Sequence, residues 1–249
     1  MIDKKYIYLS GVFLFLIIIK FINPPIIQKI SFLNYDFYQK IFSRGEVKDV
    51  IIVDIDEKSI AKVGQFPWRR DAYSKILKNL NQHNPKAIAF DIVFSEEDKQ
   101  NPKDLLSKLQ VESDQLIDID VIDTNKIFVN SIKNSKVILP ILGEPKNNFV
   151  KNNSKPKLRL LAKGENPKNF IYKFKNKIIS LEEISSVASG IGSISLIPSI
   201  DGVIRSVPVL YNIDDKIWPS LALETVRIAT NQKNLLVKSS KNGIELIKT

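Results

Sequence analysis

The chain has 249 residues, with 37 Lys and Arg against 27 Asp and Glu, one His and no Cys, which gives a net charge of +10. Without Cys there is no disulfide, no Cys-ligated zinc or iron-sulfur site and no cysteine nucleophile, and the lone His83 excludes a two-His metal site. The net charge, taken alone, favours an anionic partner such as nucleic acid or a membrane surface.

The first apolar segment runs from Tyr6 to Ile22 and carries one charge, Lys20. As a helix it would measure about 26 Å, which is the short end of a membrane span. Asn23-Pro24-Pro25 follows without a small-residue cleavage site, so the segment is predicted to be an uncleaved anchor and not a signal peptide. A buried core helix is the alternative. Lys4 and Lys5 favour a cytoplasmic N-terminus, which places residues from about 30 onward outside the cytoplasm and excludes chromosomal nucleic acid as a partner.

The next elements alternate between helical and strand patterns. Apolar spacing predicts a helix over 26–44, and the β-branched run 50–56 predicts a strand buried on both faces. An amphipathic helix is predicted from Asp71 to about His83, and residues 86–94 are predicted to form a second apolar strand. Strand, helix and strand in this order predict a βαβ unit with parallel pairing.

The second half of the chain is less regular. Residues 95–123 are acidic and without periodicity, and residues 144–177, with ten basic and two acidic residues, are predicted to be an exposed loop or a long polar hairpin. The remaining predictions are helices at 124–134, 182–189 and 220–230, a strand at 136–141, a hairpin of 190–198 with 203–210 across Asp201-Gly202, and two short strands joined by Asn242-Gly243. The fold class is therefore α/β: an N-terminal transmembrane helix followed by a mixed, partly parallel sheet with a βαβ core, flanked by helices, with an added β-hairpin.

Six short motifs in a fixed order resemble the CHASE2 family, the extracytoplasmic sensor domain of bacterial transmembrane signalling proteins. They lie behind the predicted anchor and span most of residues 36–230. The motifs are Val50-Ile51-Ile52-Val53-Asp54-Ile55-Asp56-Glu57-Lys58-Ser59-Ile60, Gly64-Gln65-Phe66-Pro67-Trp68-Arg69-Arg70, Ala87-Ile88-Ala89-Phe90-Asp91-Ile92-Val93-Phe94-Ser95-Glu96, Val137-Ile138-Leu139-Pro140, Pro198-Ser199-Ile200-Asp201-Gly202-Val203-Ile204-Arg205-Ser206-Val207-Pro208 and Pro219-Ser220-Leu221-Ala222-Leu223-Glu224.

The resemblance implies three regions: a membrane anchor at 1–25, a juxtamembrane helix at 26–45 and a CHASE2-like sensor domain at 46–249. It implies a sensing module of a membrane-bound receptor in the cell inner membrane, single-pass, with its C-terminal domain periplasmic and with no catalysis or cofactor of its own. Such domains continue past the position of Thr249 into further strands, about three membrane helices and a cytoplasmic output domain. The chain therefore resembles the N-terminal portion of a receptor, or a protein shortened to most of its sensor. The partners expected are the membrane, an unknown small ligand or envelope partner and a second copy in a homodimer, but no nucleic acid.

Three acidic residues are candidate ligand-binding residues. Asp54, Asp56 and Asp91 follow two strands predicted to be neighbours, and open α/β sheets bind ligands at the carboxyl ends of their strands. These carboxylates would suit a cationic ligand or a hard metal ion. The alternative is structural: Asp56 caps the following helix, and the other two pair with Arg69, Arg70 or loop amides.

Trp68, Arg69 and Arg70 form the second candidate set. An indole beside two guanidiniums would suit an anionic or aromatic ligand. The structural alternative is a turn held by burial of Trp68, in which the arginines pair with the acidic residues at the strand ends.

Three other functions compete with the sensing module. One is the N-terminal fragment of a CHASE2-adenylate cyclase, kinase or diguanylate cyclase. Another is a carboxylate-based, metal-dependent hydrolase that uses Asp54, Asp56 and Asp91. The third is an envelope scaffold module without a ligand. No catalytic or metal-ligating residue is assigned on the leading interpretation.

Overall fold

A computed structural model describes residues 4–42, 45, 49–108, 122–144 and 154–249. Its backbone contacts divide the chain into two units. The first unit holds residues 1–55 with 200–202, and the second holds 56–199 with 203–249. The predicted boundaries at residues 25 and 45 stay predictions.

The first unit contains two apolar helices. Helix α1 spans Lys4–Ile22 and helix α2 spans Pro25–Ile41, which confirms the predicted helix over 26–44 with an end three residues earlier. Asn23 between them has a left-handed backbone with φ 44°, and the prolines at 24 and 25 begin the new helix. Helix α1 is long and apolar enough to cross a membrane.

The second unit contains the remaining helices and all the strands of the described residues. The helices are α3 (Glu57–Val63), α4 (Arg70–Asn81), α5 (Pro102–Lys108), α6 (Thr124–Lys133), α7 (Glu182–Val187) and α8 (Leu221–Ala229). The strands are β1 (Ile88–Ala89), β2 (Val137–Glu144), β3 (Arg159–Gly164), β4 (Tyr172–Phe174), β5 (Asn176–Ile179), β6 (Gly190–Ser193), β7 (Leu210–Ile213), β8 (Lys216–Pro219), β9 (Asn234–Ser240) and β10 (Gly243–Lys248). A short 3₁₀ helix at Pro167–Phe170 separates β3 from β4.

The central sheet is built on β2, which is buried along most of its length. Strands β1 and β6 pair with β2 in parallel and β5 pairs with it antiparallel. The β1–α6–β2 connection therefore supplies the parallel βαβ core of a mixed sheet. Two three-stranded sheets have the orders β10-β9-β3 and β4-β7-β8.

Aromatic and branched side chains fill the space between these elements. Tyr73 on α4, Phe90, Phe94 and Phe128 on α6 form a group with ring centroids 4.9 to 6.4 Å apart. Edge-to-face geometry dominates this group and adds to the gain from burial. Trp218 and Tyr211 are fully buried in a second cluster with Ile141 of β2. The first of these groups packs helix α4, whose first residues build the candidate site, against α6.

The strand predicted at 50–56 is wrong. Residues 50–55 have no strand structure, and the side chains of Ile51 and Ile52 are 85% and 87% exposed. A continuous apolar run forms a buried strand only where neighbouring strands supply its hydrogen bonds. The βαβ unit is therefore made by β1, α6 and β2 and not by the run at 50–56.

Two further predictions need correction. The segment 144–177, predicted to be an exposed loop or a long polar hairpin, includes residues 145–153, which lie outside the described residues. Its described part contains β3, β4 and the start of β5, so it is not a loop, and β3 and β4 pair with β9 and β7 and not with each other. Residues 190–193 and 203–210 do not form a hairpin: β6 pairs with β2, while a turn joins Ser199 and Val203. The added hairpin lies one strand later, between β7 and β8, and the hairpin predicted at Asn242-Gly243 is confirmed as β9 and β10.

Candidate functional site

Asp56 caps helix α3. Its Oδ1 accepts hydrogen bonds from the backbone N–H of Ser59 at 2.8 Å and from the Ser59 hydroxyl at 2.7 Å. These bonds satisfy an otherwise free N–H in the first turn of the helix. They also lower the pKa of Asp56. The predicted capping role is confirmed, and binding of a ligand by Asp56 stays a prediction.

Trp68 holds the turn before α4. Its side chain is 8% exposed, and its Nε1–H donates to the carbonyl oxygen of Gly64 at 2.7 Å. The indole packs against the ring of Tyr73, with 6.4 Å between ring centroids. Trp68 therefore fixes the backbone between α3 and α4, and little of its indole is free to contact a ligand.

Arg69 pairs with Asp71 and not with the acidic residues near the predicted strand ends. The guanidinium donates Nε–H and Nη2–H to the two carboxylate oxygens of Asp71, both at 2.7 Å. This bidentate contact raises the pKa of Arg69 and lowers the pKa of Asp71. Because the Arg69 side chain is 40% exposed, the pair adds little to stability and remains open to a ligand.

Arg70 turns into the protein. It is 8% exposed, its Nη2–H donates to the carbonyl oxygen of Glu96 at 2.7 Å, and its guanidinium lies 4.5 Å from the centroid of the Phe94 ring. Burial lowers the pKa of Arg70, and the charge of Asp98 opposes this shift. Arg70 therefore joins α4 to the loop after β1 and does not face solvent.

Asp98 is the acceptor at the centre of this loop, and the sequence did not single it out. It is 7% exposed. Its Oδ2 accepts the Arg70 backbone N–H at 2.9 Å and the Thr124 hydroxyl at 2.8 Å, while its Oδ1 accepts the Gln100 N–H at 3.0 Å. Next to it, the buried Asn101 accepts the Thr124 N–H at 3.1 Å. This pair of residues, 98 and 101, ties the first turns of α4 and α6 to one loop.

A cleft of about 410 Å³, the Trp68 cleft, opens beside the start of α4. Its lining carries two cations, Arg69 and Lys75, against one carboxylate, Asp71, together with the amide side chains of Gln65 and Gln100. With the Arg69–Asp71 pair already formed, Lys75 gives the cleft a net positive charge. Its chemistry suits a small polar ligand with an anionic group.

A second cleft of about 320 Å³, the acidic cleft, lies on the other side of the same loop. Lys103 is its one cation against five carboxylates, and Asn101 belongs to its wall. The Nζ of Lys103 lies 3.1 Å from Asp123. Gln100 lines one cleft and its neighbour Asn101 the other, so these two residues form a wall that both clefts share. The carboxylates of the acidic cleft are Glu97, Asp104, Asp123, Glu182 and Glu183.

Of the three predicted carboxylates, Asp91 alone follows a paired strand, β1, whereas Asp54 and Asp56 follow no strand. Asp54 is exposed within the run that forms no strand, and it belongs to the first unit. Asp91 is exposed two residues beyond β1 in the second unit. Within the ranges that the structure describes, no three His, Asp or Glu side chains are grouped so that they could hold a metal ion. A ligand role for Asp54 and Asp91 stays a prediction.

Comparison with known proteins gives one informative result. No curated protein and no solved structure matches the chain. The family model of the CHASE2 domain matches residues 12–248, nearly the whole chain, and CHASE2 domains are extracytoplasmic sensor domains. The match begins inside α1 and ends in β10, so it takes in both units. The chain belongs to the CHASE2 domain family.

Proposed function

We propose that this chain is the sensing region of a bacterial transmembrane receptor, with no catalysis of its own. Helix α1 is its single span in the cell inner membrane, and residues from about 46 onward lie in the periplasm. The observation that carries the proposal is the position of the family match, which starts within α1 and continues through the α/β unit. The 19 residues of α1 would measure about 28 Å, close to the hydrocarbon thickness of a bilayer.

Topology is tested by single cysteines, because the natural chain has none. Lys78→Cys, on the exposed side of α4, and Lys4→Cys, at the N-terminus, are each treated with a membrane-impermeant maleimide. In intact spheroplasts we expect labelling at position 78 alone, and labelling at position 4 only after the membrane is permeabilised. Labelling at position 4 alone, or at both positions, would refute the proposed orientation.

The ligand site that the geometry supports best is the Trp68 cleft. Arg69 is the one member of the predicted set Trp68, Arg69 and Arg70 that is both charged and open to solvent. Lys75 and two glutamine side chains surround it with further hydrogen-bond donors. We therefore propose a small ligand with a carboxylate or phosphate group bound at the Arg69 and Lys75 edge.

The wall shared by the two clefts connects the ligand site to helices α4 and α6. A ligand that contacts Gln100 would act on the loop held by Asp98, and Asp98 bonds to the first turns of α4 and α6. A ligand shifts such an equilibrium only by its different affinity for the two states. The proposed response is therefore a change in the bonds of Asp98 that alters how α4 and α6 begin.

Thermal unfolding of the full chain in detergent tests the ligand class. We expect some small carboxylates or phosphates to raise the melting temperature, because a ligand bound to the folded state alone stabilises it by mass action. Arg69→Gln should abolish the rise, while Lys78→Gln on the same helix, outside the cleft, should keep it. A rise that survives Arg69→Gln would refute the assignment of the cleft, and the lack of a rise with any ligand of either class would favour the scaffold function.

A further inference from the structure

Helix α2 carries its apolar face outward. Ile26, Ile30, Leu33, Phe37 and Ile41 are 51 to 71% exposed, and none of the residues of α2 is buried. The residues that are partly covered, Gln28, Phe32 and Asp36, form a different stripe with a spacing of four. The covered stripe is the more polar one, so within the described residues of the first unit the apolar face stays exposed and is open to a partner outside that unit.

The width of the apolar face distinguishes between two ways of covering it, by a partner helix in a coiled coil or by a flat apolar medium. With about 100° of rotation per residue, the five apolar residues fall within about 80°, and Ile27 and Tyr38 widen the arc to about 140°. A two-stranded coiled coil covers a narrower seam, and it needs a heptad pattern sustained over three or four heptads. Helix α2 has 17 residues, and Asn34 interrupts the arc. A flat apolar medium would cover the whole arc at once.

If α1 spans the membrane as proposed, the short connection between the two helices brings the start of α2 to the membrane surface. Pro25 follows the last residue of α1 by three positions, and the left-handed Asn23 breaks the helix between them. The side-chain Nε2–H of Gln28 donates to the carbonyl oxygen of Asn23 at 2.8 Å and so stabilises this break. A continuous stalk would need no break, whereas a helix that turns into the membrane plane requires one.

The flanks of the arc match the headgroup region. Lys29 and Lys40 lie along one flank, where they would meet anionic lipid headgroups, and Tyr35 and Tyr38 lie towards the other. Tyrosine prefers the membrane–water interface because its ring is apolar and its hydroxyl polar. We propose that α2 lies in the interface beside α1, with its apolar arc in the acyl boundary and Gln28, Phe32 and Asp36 facing away from the lipid. This inference rests on the proposed function, because it requires α1 to span the membrane.

Site-directed spin labelling of the full chain tests the inference in vesicles of phosphatidylethanolamine and phosphatidylglycerol. Single nitroxides replace Ile30 and Phe37 on the arc, Gln39 off the arc and Leu14 in α1, and their collisions with oxygen and with a water-soluble nickel chelate are measured. We expect the labels at positions 14, 30 and 37 to collide often with oxygen and rarely with the nickel chelate. The label at position 39 should collide often with the nickel chelate.

Each other outcome overturns a defined statement. If the label at position 14 keeps access to nickel, α1 does not span and the proposed function fails together with the inference. If position 14 is in lipid while 30 and 37 keep access to nickel, the inference alone fails. If positions 30 and 37 lose access to both reagents, and Ile30→Cys cross-links to a second chain on oxidation, a second copy covers α2 and the interfacial position is wrong.

Discussion

The Asp98→Asn substitution is the sharpest test of the loop between the two clefts. The carboxylate is 7% exposed and accepts three hydrogen bonds, two at Oδ2 and one at Oδ1. Asparagine has almost the same shape but only one acceptor oxygen, and its NH₂ group would face a donor. The substitution therefore tests the charge and the acceptor count with hardly any change in volume.

The expected loss follows from these contacts. If the amide oxygen takes the place of Oδ2, the bonds to Arg70 and Thr124 survive as neutral ones, while the N–H of Gln100 is left facing NH₂. A hydrogen bond to a charged group contributes roughly 1.5–3 kcal/mol, and an unsatisfied buried donor costs roughly 1–3 kcal/mol. We expect the free energy of unfolding to fall by about 3 kcal/mol, a large part of the 5–15 kcal/mol typical of a domain.

Urea unfolding of the full chain in detergent, followed by tryptophan fluorescence, measures this loss. The two tryptophans, Trp68 and Trp218, are both buried in the second unit. Asp91→Asn is the matched control, since Asp91 is exposed. Amide hydrogen exchange should also quicken at Gln100. A loss for Asp98→Asn no larger than that for Asp91→Asn would refute the role assigned to Asp98.

Three further substitutions probe the second unit. Glu224→Ala should cost about 3–5 kcal/mol, because it leaves the 3% exposed guanidinium of Arg227 without its bidentate partner. Gly192→Ala should cost about 1–3 kcal/mol, because a Cβ there would lie 2.6 Å from the Cα of Leu221 and push on the start of α8. Tyr211→Phe should make the free energy of unfolding fall less steeply with pH at alkaline pH than it does in the wild type. Burial raises the pKa of Tyr211 from 10.0 to about 12, so between these pH values the folded state keeps a proton that the unfolded state loses, and the wild type alone loses up to about 2.7 kcal/mol as the pH rises.

Urea unfolding provides the controls for all three. Glu224→Leu with Arg227→Met should lose less than Glu224→Ala alone, because no buried charge is left unpaired. Gly45→Ala, where nothing lies within 4 Å of the added Cβ, should change little. Equal losses in either comparison, or an unchanged alkaline slope in Tyr211→Phe, would contradict the corresponding argument.

The helices of the second unit were predictable because their packing is local in sequence. Helix α4 was expected from Asp71 to about His83 and runs over Arg70–Asn81, and α6 ends one residue before its predicted end. In each helix, one face meets the core at the helical period. In α4 the buried residues Tyr73 and Leu77 lie four positions apart, and this spacing is visible in the sequence.

Strands were harder because their partners lie far away in the sequence. The run at 50–56 has the composition of a central strand, yet no described strand pairs with it. Conversely, β3 and β4 lie at the edges of their sheets and are mostly exposed, so they lack the alternation of a half-buried strand. Edge strands with lysines resemble loops in composition, because lysine there discourages further pairing.

The candidate site was predicted only in part, because several of its contacts also join residues that lie far apart in the sequence. The sequence predicts a turn held by burial of Trp68 beside Arg69 and Arg70, and the structure confirms the burial. The partners of the two arginines were wrong, because Asp71 and the Glu96 carbonyl replace the expected strand-end carboxylates. Asp98 and Asn101 gave no signal, since their importance comes from contacts with Arg70 and Thr124, which are more than 20 residues away in the sequence.

The basic segment at 144–177 shows how a net charge can mislead about partners. Its lysines include two that hold the fold together. Lys157 donates from Nζ to the carbonyl oxygens of Ser186 and Ala188, at 2.5 and 2.6 Å, where they end helix α7, and burial lowers its pKa. Lys177 is 7% exposed, and its Nζ lies 3.0 Å from Asp214. A cation beside the free carbonyl oxygens at the C-terminal end of a helix interacts favourably with those oxygens and with the helix dipole. Part of the charge that suggested an anionic partner is therefore engaged inside the protein, where it fixes β5 and α7 beside the core.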